Sequence, residues 1–209
     1  MTARDDTLQR LHKSQHPEPH PEPWESPQSF PDLAAQFIKA LQSASGKAFH
    51  VKNLDEAVEK AFALMEEFHV KRIVANDEPP LNTLDLPVQH SQYEWNIVGK
   101  TEGNLREYCA NADAGLTSAE AGFAETGSLV LVSGPGKSRF TSLLPPLHIV
   151  LVQTSKLMVD IFAWQKSYHK QFPGWVGFIS GPSKTGDIEG KQVLGVHGPK
   201  DYIVILYDE

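Results

Sequence analysis

The sequence predicts one α/β domain built on a largely parallel sheet, preceded by an N-terminal arm. Two observations carry this. Stretches with a helical apolar stripe alternate with short β-branched strands from residue 31 onward, the pattern of βαβ units. In the second half, polar glycine-rich segments interrupt the apolar strands, as loops at strand ends do in open α/β sheets. A length of 209 residues suits one well-cored domain and is short for two.

Residues 1–30 form the arm. His16–Pro23 alternates proline with polar residues, and proline removes backbone donors and restricts the residue before it, so an extended chain is expected. The domain spans 31–209. Leu33, Phe37, Ile38 and Leu41 place a stripe on a helix over Asp32–Gln42. A strand follows at Ala48–Val51. Asn53 then caps a second helix, with Glu56 three residues on to complete a capping box. Arg72–Ala75 reads as a strand ended by Asn76-Asp77 and Pro79-Pro80, and Leu86–His90 as another. Leu105–Ala110 is a short helix. Ser128–Ser133 and His148–Gln153 are buried strands, with a long amphipathic helix expected over Lys156–His169. Trp175–Ser180, a helix from about Thr185, and a last strand at Tyr202–Leu206 complete the alternation.

Composition excludes several functions. A formal charge of -7 opposes a nucleic-acid partner, which needs clustered basic surface. The single cysteine, Cys109, leaves no disulfide and no cysteine-ligated cluster or zinc site within this chain. No apolar run reaches the roughly 18–20 residues of a membrane span. The polar, mixed-charge N-terminus is not a secretory leader, so the cytoplasm is the expected compartment.

Three polar clusters hold the candidate chemistry. In Gly115–Gly127, small residues allow close backbone approach to a ligand, and Glu120 and Glu125 place two carboxylates nearby for acid–base work. In Ser133–His148, Gly136-Lys137-Ser138 follows a strand, but Leu131 stands where a P-loop needs glycine, so nucleotide hydrolysis is not expected. Arg139 there suits a carboxylate or phosphate clamp, or else pairs with a neighbouring acid. In Gly181–Glu189, backbone amides with Ser183, Lys184 and Thr185 converge on an anion at the start of the expected helix, where Asp187 and Glu189 would cap. The Gly195–Pro199 turn presents His197 between glycines, and His148 opens an apolar strand as either a structural or a proton-transferring histidine.

In this order the clusters resemble the LUD-domain family, named for lactate utilisation. Ala114–Gly134, Ser138–Val152, Ile179–Pro199 and the terminal Tyr202–Glu209 carry the resemblance. It implies the three-layer, Rossmann-like, mostly parallel sheet shared with ribose-5-phosphate isomerase and the coenzyme A transferases. It also implies a subunit of an L-lactate oxidation system, converting lactate to pyruvate beside iron–sulfur and cysteine-rich partner subunits. Iron–sulfur clusters are then expected in those partners and no cofactor in this chain, in keeping with its one cysteine. The cleft would bind a small carboxylate through Thr117, Thr126, Arg139, Ser183, Lys184 and Thr185, with Glu125, His148 and His197 as candidates for proton transfer. No metal ligands are assigned. Two alternatives stay open: a stand-alone enzyme of the coenzyme A transferase or folate cyclo-ligase type with Glu125 as nucleophile, and a non-catalytic regulatory or assembly protein.

Overall fold

The computed structural model describes residues 2–14, 26–168, 171–188 and 191–208. At its centre, among the described residues, six strands run in the order β1-β12-β7-β4-β2-β3, every neighbouring pair parallel. They are β1 (Lys47–Val51), β2 (Arg72–Ala75), β3 (Glu94–Ile97), β4 (Ala114–Ser118), β7 (Leu147–Gln153) and β12 (Asp201–Tyr207). Both faces of such a sheet are covered, so its inner strands read as continuous apolar runs, as His148–Gln153 and Tyr202–Leu206 do.

Side-chain parity divides the core in two. Ile73, Leu116, Ile149, Leu151, Ile203 and Ile205 meet Ala57, Ala61, Leu64 and Met65 of α3 (Leu54–Glu67) on one face. Val150, Val152, Tyr202, Val204 and Leu206 meet Phe37 and Leu41 of α2 (Leu33–Ser43) on the other. Both helices start where side chains supply the missing acceptors. Asp32 accepts from the Ala35 amide, and Asn53 Oδ1 accepts from Glu56 N at 2.9 Å. The return bond of the capping box lands one residue early, from Lys52 N to Glu56 Oε2.

A second sheet, β8-β5-β6-β9, lies over the α2 face and contributes Leu129 and Leu131 to its core. Its strands are β5 (Ala121–Phe123), β6 (Ser128–Val132), β8 (Leu157–Met158) and β9 (Val176–Ile179). On the same side of the central sheet, α5 (Leu105–Asn111) and α6 (Arg139–Leu143) cover β2 and β4. Gly115 makes this possible: a β-carbon there would collide with the carbonyl oxygen of Thr141 in α6.

Four expectations are corrected. The arm begins with a helix, α1 (Ala3–Ser14), whose side chains from Ala3 to Lys13 are exposed and which is held by Asp5 accepting from Thr2 N and by an Arg10–Asp6 pair. The His16–Pro23 stretch lies outside the described residues. Leu86–His90 is not a strand: Leu86–Gln89 is a helical turn, α4, where Pro87 sits in the first turn and its missing N–H costs nothing. The long helix over Lys156–His169 shrinks to α7 (Ile161–Ser167), because Leu157 and Met158 pair with β5 and Asp160, in extended conformation, caps a new helix by accepting from Ala163 N. The helix expected at Thr185 is a hairpin, β10 (Lys184–Ile188) with β11 (Lys191–Leu194). Gly186 and the β-branched Thr185, Ile188 and Val193 disfavour helix and suit paired strands.

Candidate functional site

His148 and Tyr202 are register partners near the starts of β7 and β12, and both point to the α2 face. Their rings tilt together with centroids 5.4 Å apart. His148 is completely buried, and its Nε2 lies 2.9 Å from Thr117 Oγ1 on β4. Its Nδ1 and the hydroxyl of Tyr202 are both enclosed and have no hydrogen-bond partner among the described residues. Burial pushes the imidazole pKa down to about 3 and raises that of the phenol, so the two meet as neutral groups.

The loops entering these strands are tied to one another. Lys200 N and Asp201 N donate to Pro146 O, joining the segments just ahead of Tyr202 and His148. Ser183 N donates to Pro199 O and Gly195 N to Ser183 O, so the 181–184 and 195–199 loops form one unit. At Gly198 a β-carbon would stand 3.2 Å from that of Ser183. A chain of hydroxyls, Thr126–Ser128–Ser180, spans 2.7 and 2.6 Å and links the 125–127 turn to the residue preceding Gly181.

Of the residues singled out in the sequence, Thr117 and His148 are in contact, and Ser183 and His197 lie on the joined loops, with Ser183 half-buried and His197 exposed. Lys184 and Thr185 open β10, opposite Leu194 and Val193, with Lys184 exposed. These residues begin a strand and not a helix, so the anion site expected from a helix dipole is replaced by a strand-and-loop edge. Asp187 sits within β10, and Glu189 lies outside the described residues. Glu125 is half-buried in a turn and accepts from Gln28 Nε2 at 2.9 Å. Arg139 does not join this group. It is the exposed first residue of α6, 5.8 Å from the Phe140 ring.

Arg139 instead borders a constellation not singled out in the sequence. Glu78 is 5% exposed, and its Oε1 accepts from Ser118 N and Asn76 Nδ2, both at 3.0 Å. Lys137 Nζ approaches Glu78 Oε2 at 3.4 Å, and Ser138 N donates to Asn76 Oδ1. These residues cap the carboxyl ends of β2 and β4, where the chain order across the sheet reverses, the usual ligand crevice of open α/β folds. The signal was the polar Asn76-Asp77-Glu78 run directly after a strand. Lys137 is held by a carboxylate and α6 is only five residues long, so the Gly-Lys-Ser run does not form a phosphate loop. Among the described residues, no group of three or more His, Cys, Asp or Glu side chains is arranged to hold a metal ion.

Fold and site define an α/β protein with a parallel central sheet, a second sheet folded over one face, and an enclosed neutral polar pair between them. The chain belongs to the LUD domain family, whose model matches residues 34–207. It is 33% identical over 168 residues to Lactate utilization protein C of Halalkalibacterium halodurans, covering 76% of this chain and 72% of that one. Over 142 residues it is 34% identical to Lactate utilization protein C of an Exiguobacterium species, covering 65% and 61%. The chain thus spans less than three-quarters of either relative. Among solved structures, a DUF162 family protein from Deinococcus radiodurans superposes with a TM-score of 0.60 over 87% of this chain and 99% of its own, at 20% identity. That likeness is one of fold.

Proposed function

We propose that this chain works in lactate utilization, as a subunit of a system that oxidises L-lactate to pyruvate, and that it binds a small carboxylate. The observation that carries the reading is the identity, over three-quarters of the chain, to a protein named for lactate utilization. The ligand site is the edge built by the 181–185 and 195–199 segments. There Lys184 and His197 supply exposed charge-bearing or donor groups, Ser183 and Thr185 supply hydroxyls, and the Glu125–Thr126 turn forms the rim. His148, bonded to Thr117, follows two residues after Pro146, whose carbonyl accepts from Lys200 N and Asp201 N at the end of the second segment. Electron transfer is assigned to iron–sulfur partner subunits, because one cysteine cannot ligate a cluster. No helix of the described residues is long and apolar enough to cross a membrane.

The test is affinity purification of the full chain from its source cells grown on L-lactate, scored for iron–sulfur absorbance and lactate-dependent dye reduction. A brown, active assembly, with activity reduced at least tenfold by Lys184→Ala or His197→Ala, is expected. A colourless protein without partners, inert towards lactate, overturns the reading.

A further inference from the structure

Thr117, His148 and Tyr202 stand on a sheet face otherwise filled by valine and leucine. Thr117 and His148 satisfy each other in part, but His148 Nδ1 and the Tyr202 hydroxyl have no partner among the described residues, although they belong to neighbouring side chains whose rings are in contact. Buried polar atoms are almost always paired, and two adjacent orphans on neighbouring strands call for a third group between them. A second approach comes from the backbone: the loops that carry Ser183 and His197 are bonded to each other and to Pro146, two residues ahead of His148. The strands that carry the orphaned atoms are therefore entered directly from the loops assigned above to the carboxylate.

We propose that His148 Nδ1 and the Tyr202 hydroxyl form the floor of that site and hold the 2-oxygen of a bound 2-hydroxy or 2-oxo acid. This inference rests on the small-carboxylate reading and adds the part of the ligand that is read. The phenol O–H donates to the ligand oxygen. The neutral imidazole accepts from a ligand hydroxyl when Nε2 carries the proton and donates it to Thr117, and donates to a ligand carbonyl in the other tautomer. Neither floor group carries charge, so a carboxylate pressed between them would be desolvated without a counter-charge. The ligand's charged end stays outward, towards Lys184 and His197, and its neutral end points in. Thr117 is a positioning residue that fixes the imidazole ring. A site built to pair an oxygen rejects the analogue lacking it, since the floor atoms are then left unpaired.

The experiment is calorimetric binding of L-lactate, pyruvate and propionate to the full chain and to Tyr202→Phe, His148→Gln and Thr117→Val, with a thermal melt of each. The wild type should prefer lactate and pyruvate over propionate by at least tenfold. Tyr202→Phe should cut that preference to within about threefold while its melting temperature holds or rises, because the change deletes an unpaired buried hydroxyl. If Tyr202→Phe leaves the preference intact, or the wild type binds propionate as well as lactate, the floor assignment falls and the carboxylate site stands. If the wild type binds none of the three, both readings fall. Should His148→Gln unfold, Thr117→Val provides the same test through the ring's orientation, with the preference for lactate and pyruvate over propionate expected to weaken.

Discussion

Acid should destabilise this fold through His148. In the folded chain the imidazole is fully buried and its pKa lies at about 3 because burial penalises the cation. In the unfolded chain it returns to about 6.5. The unfolded state therefore binds a proton that the native state refuses, and stability falls as pH drops below the unfolded value, continuing down to the folded one. Between pH 7 and pH 5 the occupancy difference integrates to about 2 kcal/mol, within a limiting slope of about 1.4 kcal/mol per pH unit. His90 is also lowered by burial and adds a term of the same sign. The lowered carboxyl of Asp208, held by His50 and Thr154, acts in the same direction as the histidines: its contribution is present above the usual carboxylate range and is lost as pH falls through its lower folded value. That lies below this window. Urea denaturation of the wild type and His148→Gln at both pH values isolates the effect, since His90 and the carboxylates cancel between them. The pH-dependent part of the unfolding free energy should shrink by about 2 kcal/mol in the variant. Equal pH dependence in the two proteins would refute the enclosed, neutral histidine.

Three further outcomes follow from the packing. Gly115→Ala drives a methyl group into the Thr141 carbonyl and should cost about 2–3 kcal/mol, read as a lowered urea midpoint with unchanged slope; an unchanged midpoint would mean that α6 is not seated on β4. Glu78→Ala removes the acceptor of Ser118 N and Asn76 Nδ2 and the partner of Lys137, and should destabilise by about 3 kcal/mol, whereas Glu78→Gln should recover part of the loss. Cys109 is fully buried and its thiol pKa is pushed up to about 11, chiefly by burial, so at pH 8 a thiol reagent should label it only under denaturing conditions.

The parallel sheet was legible because its inner strands are uninterrupted apolar runs flanked by helices with clear stripes and caps, as at Asp32 and Asn53. The missed elements lacked such signals. β3 is a short edge strand beginning at Glu94, and β8 is two residues long and defined by its pairing with β5 alone. At 184–194 polar residues before an apolar stretch resemble a capped helix start, but the segment pairs as an antiparallel hairpin. In the site, sequence named Thr117 and His148 but not Tyr202, because a tyrosine inside a strand reads as core until register sets its ring beside a histidine. Arg139 and Lys184 both suit a carboxylate by their charge, yet α6 begins with Arg139 beside Ser138, which is bonded to Asn76 at the end of the sheet where Glu78 lies.

The small residues of the 114–127 segment suggested a surface open to a ligand, and the structure gives them a different role. Gly115 admits the Thr141 carbonyl, a β-carbon at Gly122 would press on Leu157 and Leu129, and Gly127, at φ 65°, lies against the backbone of α2. They let one layer of protein approach another. This close packing encloses the polar side chains of Thr117, His148 and Tyr202. Leucine at 148 and phenylalanine at 202 would match the valines around them and leave no orphaned atom. Histidine and tyrosine in their place each leave a buried polar atom unpaired, at about 1–3 kcal/mol apiece. Packing alone does not call for either polar group, and a ligand oxygen bonded to both would offset that cost.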